Sequence, residues 1–407
     1  MVNSKSFLQN FSWTFIGSTI YALSQWLLIV VLAKFGSAEV VGQFSLGLAI
    51  TAPIILFSNM QLRNIIATDS VNQYSFSEYY GTRIILLLLA FLVIIGVVLI
   101  GPYDPIVSII IILVGLSKIF ESLSELAHGY FQKIERMDYA GRSMIFKSLS
   151  SLFAFSVSYI ITKSLIIGLL GLILAWALRL FLYDLKITKL YTNIRPTYKN
   201  IQLLILFALP LGFVSILNSL NTNIPRYFLE RVGGLDDLGY FSAIAYILVA
   251  GNLLIRPLSL VAAPKLAKSY QNNDKKKFVK ITLALLFFAF IIGIIAITIV
   301  YFSGELILTI IYDSSYADYN NIFVIIMIGS IISYFTTFLN SSIIAARVFK
   351  KQPYINLITM IVGMVASIIL IPRYGIEGAA YVTVTVFTTQ FFGSMGLFIF
   401  TLKDGKD

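Results

Sequence analysis

Runs of about 20 apolar residues, the length an α-helix needs to cross a bilayer, recur along this chain with short polar segments between them. Twelve can be read, at roughly 9–33, 42–60, 82–101, 105–128, 143–162, 165–184, 201–226, 238–258, 279–302, 320–346, 354–371 and 378–402. No connection between them is long enough to fold by itself. The longest outer one, 303–320, is partly apolar, and the longest inner ones, near 61–81 and 263–278, look like amphipathic pieces lying at the membrane surface. The pattern predicts an all-α integral membrane protein of about twelve transmembrane helices, with its working groups between the helices.

A second pattern overlies the first. Lys34-Phe35-Gly36-Ser37-Ala38-Glu39-Val40-Val41-Gly42-Gln43-Phe44-Ser45 follows the first apolar run. Arg231-Val232-Gly233-Gly234-Leu235-Asp236-Asp237-Leu238-Gly239-Tyr240-Phe241-Ser242 follows the seventh, 197 residues later and without a gap. Further on, Asn59 and Arg63 stand four apart, as do Asn252 and Arg256, now at an offset of 193. The four lost residues are about one helical turn. Such duplication in an apolar chain predicts a transporter built from two pseudo-symmetric six-helix halves. Six spans separate the copies, so both point the same way and the halves relate by an axis along the membrane normal. A basic linker over about 186–200, containing Pro196, marks the boundary and divides the chain into halves 1–200 and 201–407.

Composition removes the soluble alternatives. With 58% hydrophobic and 12% charged residues, a soluble globule would lack the polar surface to cover its core. A net charge of +11 would suit nucleic acid, but the placement of the bases explains it through topology. With a cytoplasmic N-terminus, 21 of the 30 lysines and arginines fall in inner segments, four in outer ones and five within spans. The positive-inside rule therefore puts both termini in the cytoplasm, and no nucleic-acid partner is expected. The chain has no cysteine, which excludes disulfides, thiolate metal sites and cysteine nucleophiles. The first apolar run is too long for a cleaved signal and is expected to be retained.

Motifs of soluble chemistry are missing as well. There is no G-x-x-x-x-G-K-[ST] phosphate loop and no HExxH, and a single histidine, His128, cannot make a multi-histidine metal site. No catalytic residue, metal or cofactor is expected. The inner segment Gln61 to Arg83 lacks the glycine- and base-rich signature of a major-facilitator transporter.

The twin motif, a glycine, an acid, a glycine and an aromatic just outside the first span of each half, resembles the polysaccharide transporters related to multidrug-and-toxin exporters. Within that group the chain is most similar to the Wzx-type flippases, which move undecaprenyl-diphosphate-linked oligosaccharides from the inner to the outer leaflet. The resemblance extends over the whole chain as twelve spans in two halves, through loose motifs. Lipid II flippases, which are relatives, typically add further spans and arginines in the first helix, whereas Phe11 to Ala33 here carry no charge. The resemblance implies a MATE-like V-shaped bundle in a bacterial cytoplasmic (inner) membrane. It would flip lipid-linked repeat units by alternating access for O-antigen or capsule assembly, with membrane lipid and the polysaccharide polymerase machinery as partners. The alternative is an ion-coupled exporter of small organic cations on the same scaffold.

A diphosphate neck is anionic, so bases within the bundle can stabilise it while a wet, basic central cavity holds the sugars. Five bases lie within spans: Lys118, Lys147, Arg179, Arg226 and Arg256. Arg256 shares a face with Asn252 and precedes Pro257, with snorkelling to the headgroups as the competing reading. Its counterpart Arg63, four residues beyond Asn59, lies nearer the cytoplasmic end, where a topological anchor competes. Arg226 completes a stripe with Asn218 and Thr222, or pairs with Glu230 at i+4. The substrate-binding expectation is thus Arg256, Arg226, Lys118, Arg179 and Arg63, with Asn252, Asn59, Asn218 and Thr222 as polar cavity residues.

The fourth span carries Lys118, Glu121, Glu125 and His128 along one face. In one reading Glu121 or Glu125 couples transport to a proton or sodium gradient, with Lys118 as its switch partner. In the other, the helix extends into the cytoplasm, Glu125 and His128 are wet, and Lys118 with Glu121 is a structural pair. The wet reading is preferred for His128. Arg179 and Asp184 stand five apart and are expected to address neighbouring helices.

Overall fold

The computed structural model describes residues 4–69, 72–348 and 351–403. Among these residues every regular element is a helix. In hydrocarbon each backbone N–H and C=O must find its partner within the chain, and a helix achieves this inside one segment. The elements are α1 (Ser4–Phe35), α2 (Ala38–Asn59), the short α3 (Leu62–Thr68), α4 (Phe76–Ile100), α5 (Pro105–Lys133), α6 (Met137–Thr162) and α7 (Leu165–Arg179). A π turn (Leu180–Asp184) leads into α8 (Leu185–Tyr191), followed by α9 (Ile201–Gln271), α10 (Lys275–Ile311), a 3-10 turn (Ser314–Tyr319), α11 (Asn320–Ala345) and α12 (Gln352–Lys403).

Ten of the described helical stretches are long and apolar enough to cross a membrane. Two helices are broken by a glycine in the left-handed region, which glycine tolerates without a Cβ clash. Gly234 breaks α9 at φ 75° and ψ −168°, and Gly375 breaks α12 at φ 54° and ψ −128°. The broken helices correspond to the paired spans 201–226 with 238–258 and 354–371 with 378–402, so about twelve crossing segments result. The outer connection expected over 303–320 is shorter in the structure, because α10 continues to Ile311. What remains is a tyrosine-rich turn: Tyr240 stacks on Tyr319 with ring centroids 4.3 Å apart, and the Tyr312 hydroxyl donates to the Ala243 carbonyl at 2.7 Å.

The chain packs as two compact units, one of Met1–Gly36 with Gln43–Ser219 and one of Ser37–Gly42 with Leu220–Asp407. In the first, α5 is the centre, touching α3, α4, α6, α7 and α8, while α1 packs along α6. The opening of α9 joins this unit: Leu204 and Ala208 lie in a core with Met60, Leu62, Tyr79 and Leu126, and Gln61 Nε2 donates to Ser215 Oγ at 3.3 Å. The packing division thus falls after Ser219, beyond the basic linker that ends near residue 200.

In the second unit α11 packs between α10 and α12, with Leu266, Phe278, Leu339, Ile343 and Phe398 in a shared core. The twin motif acquires a physical meaning here. A Cβ on Gly42 would run into the Leu235 carbonyl, and a Cβ on Gly239 would run into the Ala38 carbonyl. The two contacts are equivalent under the 197-residue repeat. The duplicated glycines let two backbones cross closely and reciprocally.

Candidate functional site

The charged groups of the first unit lie along α5, one turn after another. At the top, the Glu121 carboxylate is shared by two ammonium groups: Lys118 Nζ at 2.7 Å from Oε2 and Lys147 Nζ, from α6, at 3.9 Å from Oε1. Tyr21 of α1 donates its hydroxyl to the same Oε1. Trp176 of α7 closes the group, its ring centroid 5.4 Å from Lys118 Nζ and 5.2 Å from Lys147 Nζ, placed for cation–π attraction to both. Glu121 is 12% exposed, Lys147 3% and Lys118 21%. Four helices therefore build a largely dry group with two lysines to one carboxylate, a net charge of +1.

At the next residue of α5, on an adjoining face, Asn59 Oδ1 accepts from Ser122 and from Arg83 of α4. Arg63 Nη1 then stands 4.0 Å from Glu125 Oε1, and below it His128 Nε2 stands 3.7 Å from Asp184 Oδ1. At the end of α5, Lys133 Nζ reaches Asp69 Oδ2 at 3.6 Å. Asp69 caps the loop after α3. Burial alone would raise its carboxyl, but the Gln73 and Tyr74 N–H groups, Lys133 and the Tyr79 hydroxyl together hold it below its ordinary value.

These positions revise several expectations. His128, read as wet, is 1% exposed, because α6 and the π turn cover that end of α5. Arg83, counted among the inner-segment bases, is buried at 1% exposure. Lys118 and Glu121 come together as expected, and Lys147, Tyr21 and Trp176 join them. Asn59 and Arg63, adjacent on the sequence face, take different partners. Arg179 does not join the lysines. Its guanidinium lies 3.4 Å from the Tyr183 ring centroid and also faces Phe146 of α6, in a groove of about 600 Å³ lined by Ser150, Ser158, Leu174 and Leu182. Arg179 and Asp184 do address different neighbours, α6 and α5 respectively.

In the second unit Arg226 turns to its own helix, donating to Asn223 Oδ1 at 2.9 Å and to the Thr222 carbonyl at 3.2 Å rather than to Glu230. Thr222 is exposed, as is Asn218 on the preceding turn. The side chains of Arg256 and Asn252 lie outside the described residues. Sequence reasoning missed Arg83 and Tyr21 as members of this polar ladder, and expected a neighbouring-helix partner for Asp184 without identifying His128. A polar residue in an apolar run was their only local signal; their partners lie 24, 100 and 56 positions away.

The family model described as polysaccharide biosynthesis protein matches residues 7–270. The capsular polysaccharide biosynthesis protein CapF of Staphylococcus aureus is 33% identical over 398 residues, covering 97% of this chain and 98% of the relative. The chain belongs to the polysaccharide biosynthesis protein family. Solved structures share the fold of this family member at low identity. The lipid II flippase MurJ in an inward closed conformation matches with a TM-score of 0.77 and 13% identity, covering 96% of this chain and 90% of that one. An inward-facing multidrug resistance MATE transporter of the MOP superfamily matches with a TM-score of 0.69 and 14% identity, covering 94% and 93%. The polysaccharide biosynthesis family member is thus a multi-pass membrane protein of MATE-like fold.

Proposed function

We propose that this protein flips undecaprenyl-diphosphate-linked oligosaccharide repeat units from the inner to the outer leaflet of a bacterial cytoplasmic membrane, by alternating access, for surface polysaccharide assembly. The observation that carries the reading is the Lys118–Glu121–Lys147 group. Each charge at mid-membrane costs roughly 2.5–3.5 kcal/mol on insertion scales, and here the carboxylate offsets only one of two ammonium groups. A surplus cation held by Trp176 and Tyr21 is what a diphosphate neck requires. It is the opposite of what an exporter of organic cations requires, since Glu121 is already occupied by the protein's own lysines. Arg63, Arg226 and Arg256 are further bases for the path, while Arg179 contributes through its own groove between α6 and α7. Both termini lie in the cytoplasm, with membrane lipid and the polysaccharide polymerase machinery as partners.

The test is leaflet accessibility of an undecaprenyl-diphosphate oligosaccharide in proteoliposomes, comparing wild type, Lys118→Met and Arg256→Ala. Lys118→Met leaves Glu121 paired with Lys147. Wild type is expected to expose the sugar on the opposite face and Lys118→Met to do so more slowly. Movement of a small organic cation with no movement of lipid-linked saccharide would replace this reading by the exporter.

A further inference from the structure

Below the lysine group, four side chains from three elements converge: Ser124 and His128 of α5, Ser143 of α6, and Asp184, which ends the π turn after α7. Ser124, Ser143 and Asp184 are fully buried and His128 is 1% exposed. Although His128 Nε2 is only 3.7 Å from Asp184 Oδ1, neither it, nor either carboxylate oxygen, nor the hydroxyl of Ser124 or Ser143 makes a hydrogen bond of ordinary length and geometry. Ser124, Ser143 and His128 nonetheless all face the Asp184 carboxylate, and five polar atoms gathered at one buried point without a completed hydrogen bond need a physical reason, because such groups are costly to leave poorly paired. The backbone supplies a second sign. The π turn inserts a residue into the helix and so swings Asp184 towards α5, and π bulges concentrate at functional positions.

The charges facing this point are Lys147 from α6 and Arg63 from α3, which act on the imidazole, and Arg179 and Tyr183 from the α7 side, which act on the carboxylate. None of them satisfies it by a hydrogen bond. A metal ion fits poorly, as no cluster of three His, Cys, Asp or Glu occurs among the described residues. One proton fits well. Neutral imidazole and carboxylate take up a proton to become an imidazolium–carboxylate pair of zero net charge. Release returns the carboxylate's charge to a dry site, where the two serines can turn their hydroxyls to donate to it.

We propose that His128, Asp184, Ser124 and Ser143 form a proton-binding site, distinct from Glu121 and Glu125, through which transport responds to a proton gradient. The inference rests on the flippase reading only for the cargo that the proton accompanies. Glu121 is a poorer carrier, since two lysines and Tyr21 already hold it.

The chain contains one histidine, so the imidazole signal of ¹⁵N-histidine-labelled full-length protein in lipid nanodiscs reports His128 alone. Between about pH 5 and 8, where a histidine site is expected to change charge, the wild-type signal should pass through one single-proton step, and Asp184→Asn should displace its midpoint by about one pH unit or more. In proteoliposomes, a difference of one pH unit should change the wild-type flipping rate by up to about tenfold, while His128→Gln keeps a rate indifferent to the gradient. An imidazole signal that does not move over that range, or that moves identically in Asp184→Asn, overturns the site. If Asp184→Asn does not fold, His128→Gln in the flipping assay decides. Saccharide movement insensitive to the gradient in wild type would leave the flippase reading standing and sink this one. Titration coupled to Asp184, with no saccharide moved, would uphold the proton site and sink the flippase reading.

Discussion

The reciprocal glycine crossing of the twin motif makes a quantitative prediction. A Cβ at Gly239 falls against the Ala38 carbonyl oxygen, closer than the 3.0 Å that real Cβ atoms keep, and one at Gly42 falls equally close to the Leu235 carbonyl. A carbon–oxygen contact relaxes near 3.3 Å, so the helices must part by more than about 1 Å to admit either methyl group. A backbone carbonyl cannot rotate aside as a side chain can. Overpacking of this kind costs about 1–3 kcal/mol, and alanine regains up to about 1 kcal/mol in helix propensity. The net expectation for Gly239→Ala is a loss of about 1–2 kcal/mol, from the upper part of that range. Because one separation relieves both clashes, Gly42→Ala with Gly239→Ala should cost less than the sum of the two. A methyl group added at Gly96 or Gly396 meets nothing within 4 Å, so these two positions serve as controls. Their alanine variants should be neutral or gain up to about 1 kcal/mol. Thermal-inactivation midpoints of detergent-solubilised protein, read as retained monodisperse fraction, give the order. Equal midpoints for Gly239→Ala and Gly96→Ala, or a strictly additive double variant, would refute the crossing.

Three further outcomes follow from the α5 ladder. Glu121→Gln strands the buried Lys147 ammonium and the partly buried Lys118 ammonium and should lower stability by about 3–5 kcal/mol, with Glu121→Gln/Lys147→Met recovering much of the loss; a single variant as stable as wild type by the same assay contradicts the shared carboxylate. Asn59→Leu removes the acceptor of the buried Arg83 guanidinium and should cost about 1.5–3 kcal/mol, an effect that shrinks once Arg83→Met is also present. Asp69 is held below its ordinary value of 3.8, so its contribution is present above that value and is lost as pH falls through the lower folded one. Protection of the Gln73 and Tyr74 amides should accordingly persist from neutrality to pH 3.8 and fall only below it, whereas Asp69→Asn should show weak protection already at neutral pH.

The sequence by itself determined that this chain is helical, crosses the membrane about twelve times and carries a duplicated motif. Those properties depend on the local run of apolar side chains and on spacing along the chain, and a hydrocarbon environment leaves the backbone few other choices. It also placed Lys118 beside Glu121, because residues three apart on a helix are neighbours whatever surrounds them. Only the tertiary structure decided which bases share a site. Lys147, Tyr21 and Trp176 reach Glu121 from three other helices, and helical periodicity says nothing about which helices pack together. The same limit hid the burial of His128, since the α5 sequence alone reads as an amphipathic end running into water. It is α6 and the π turn, bringing Asp184 from 56 residues away, that turn that wet face into a dry one.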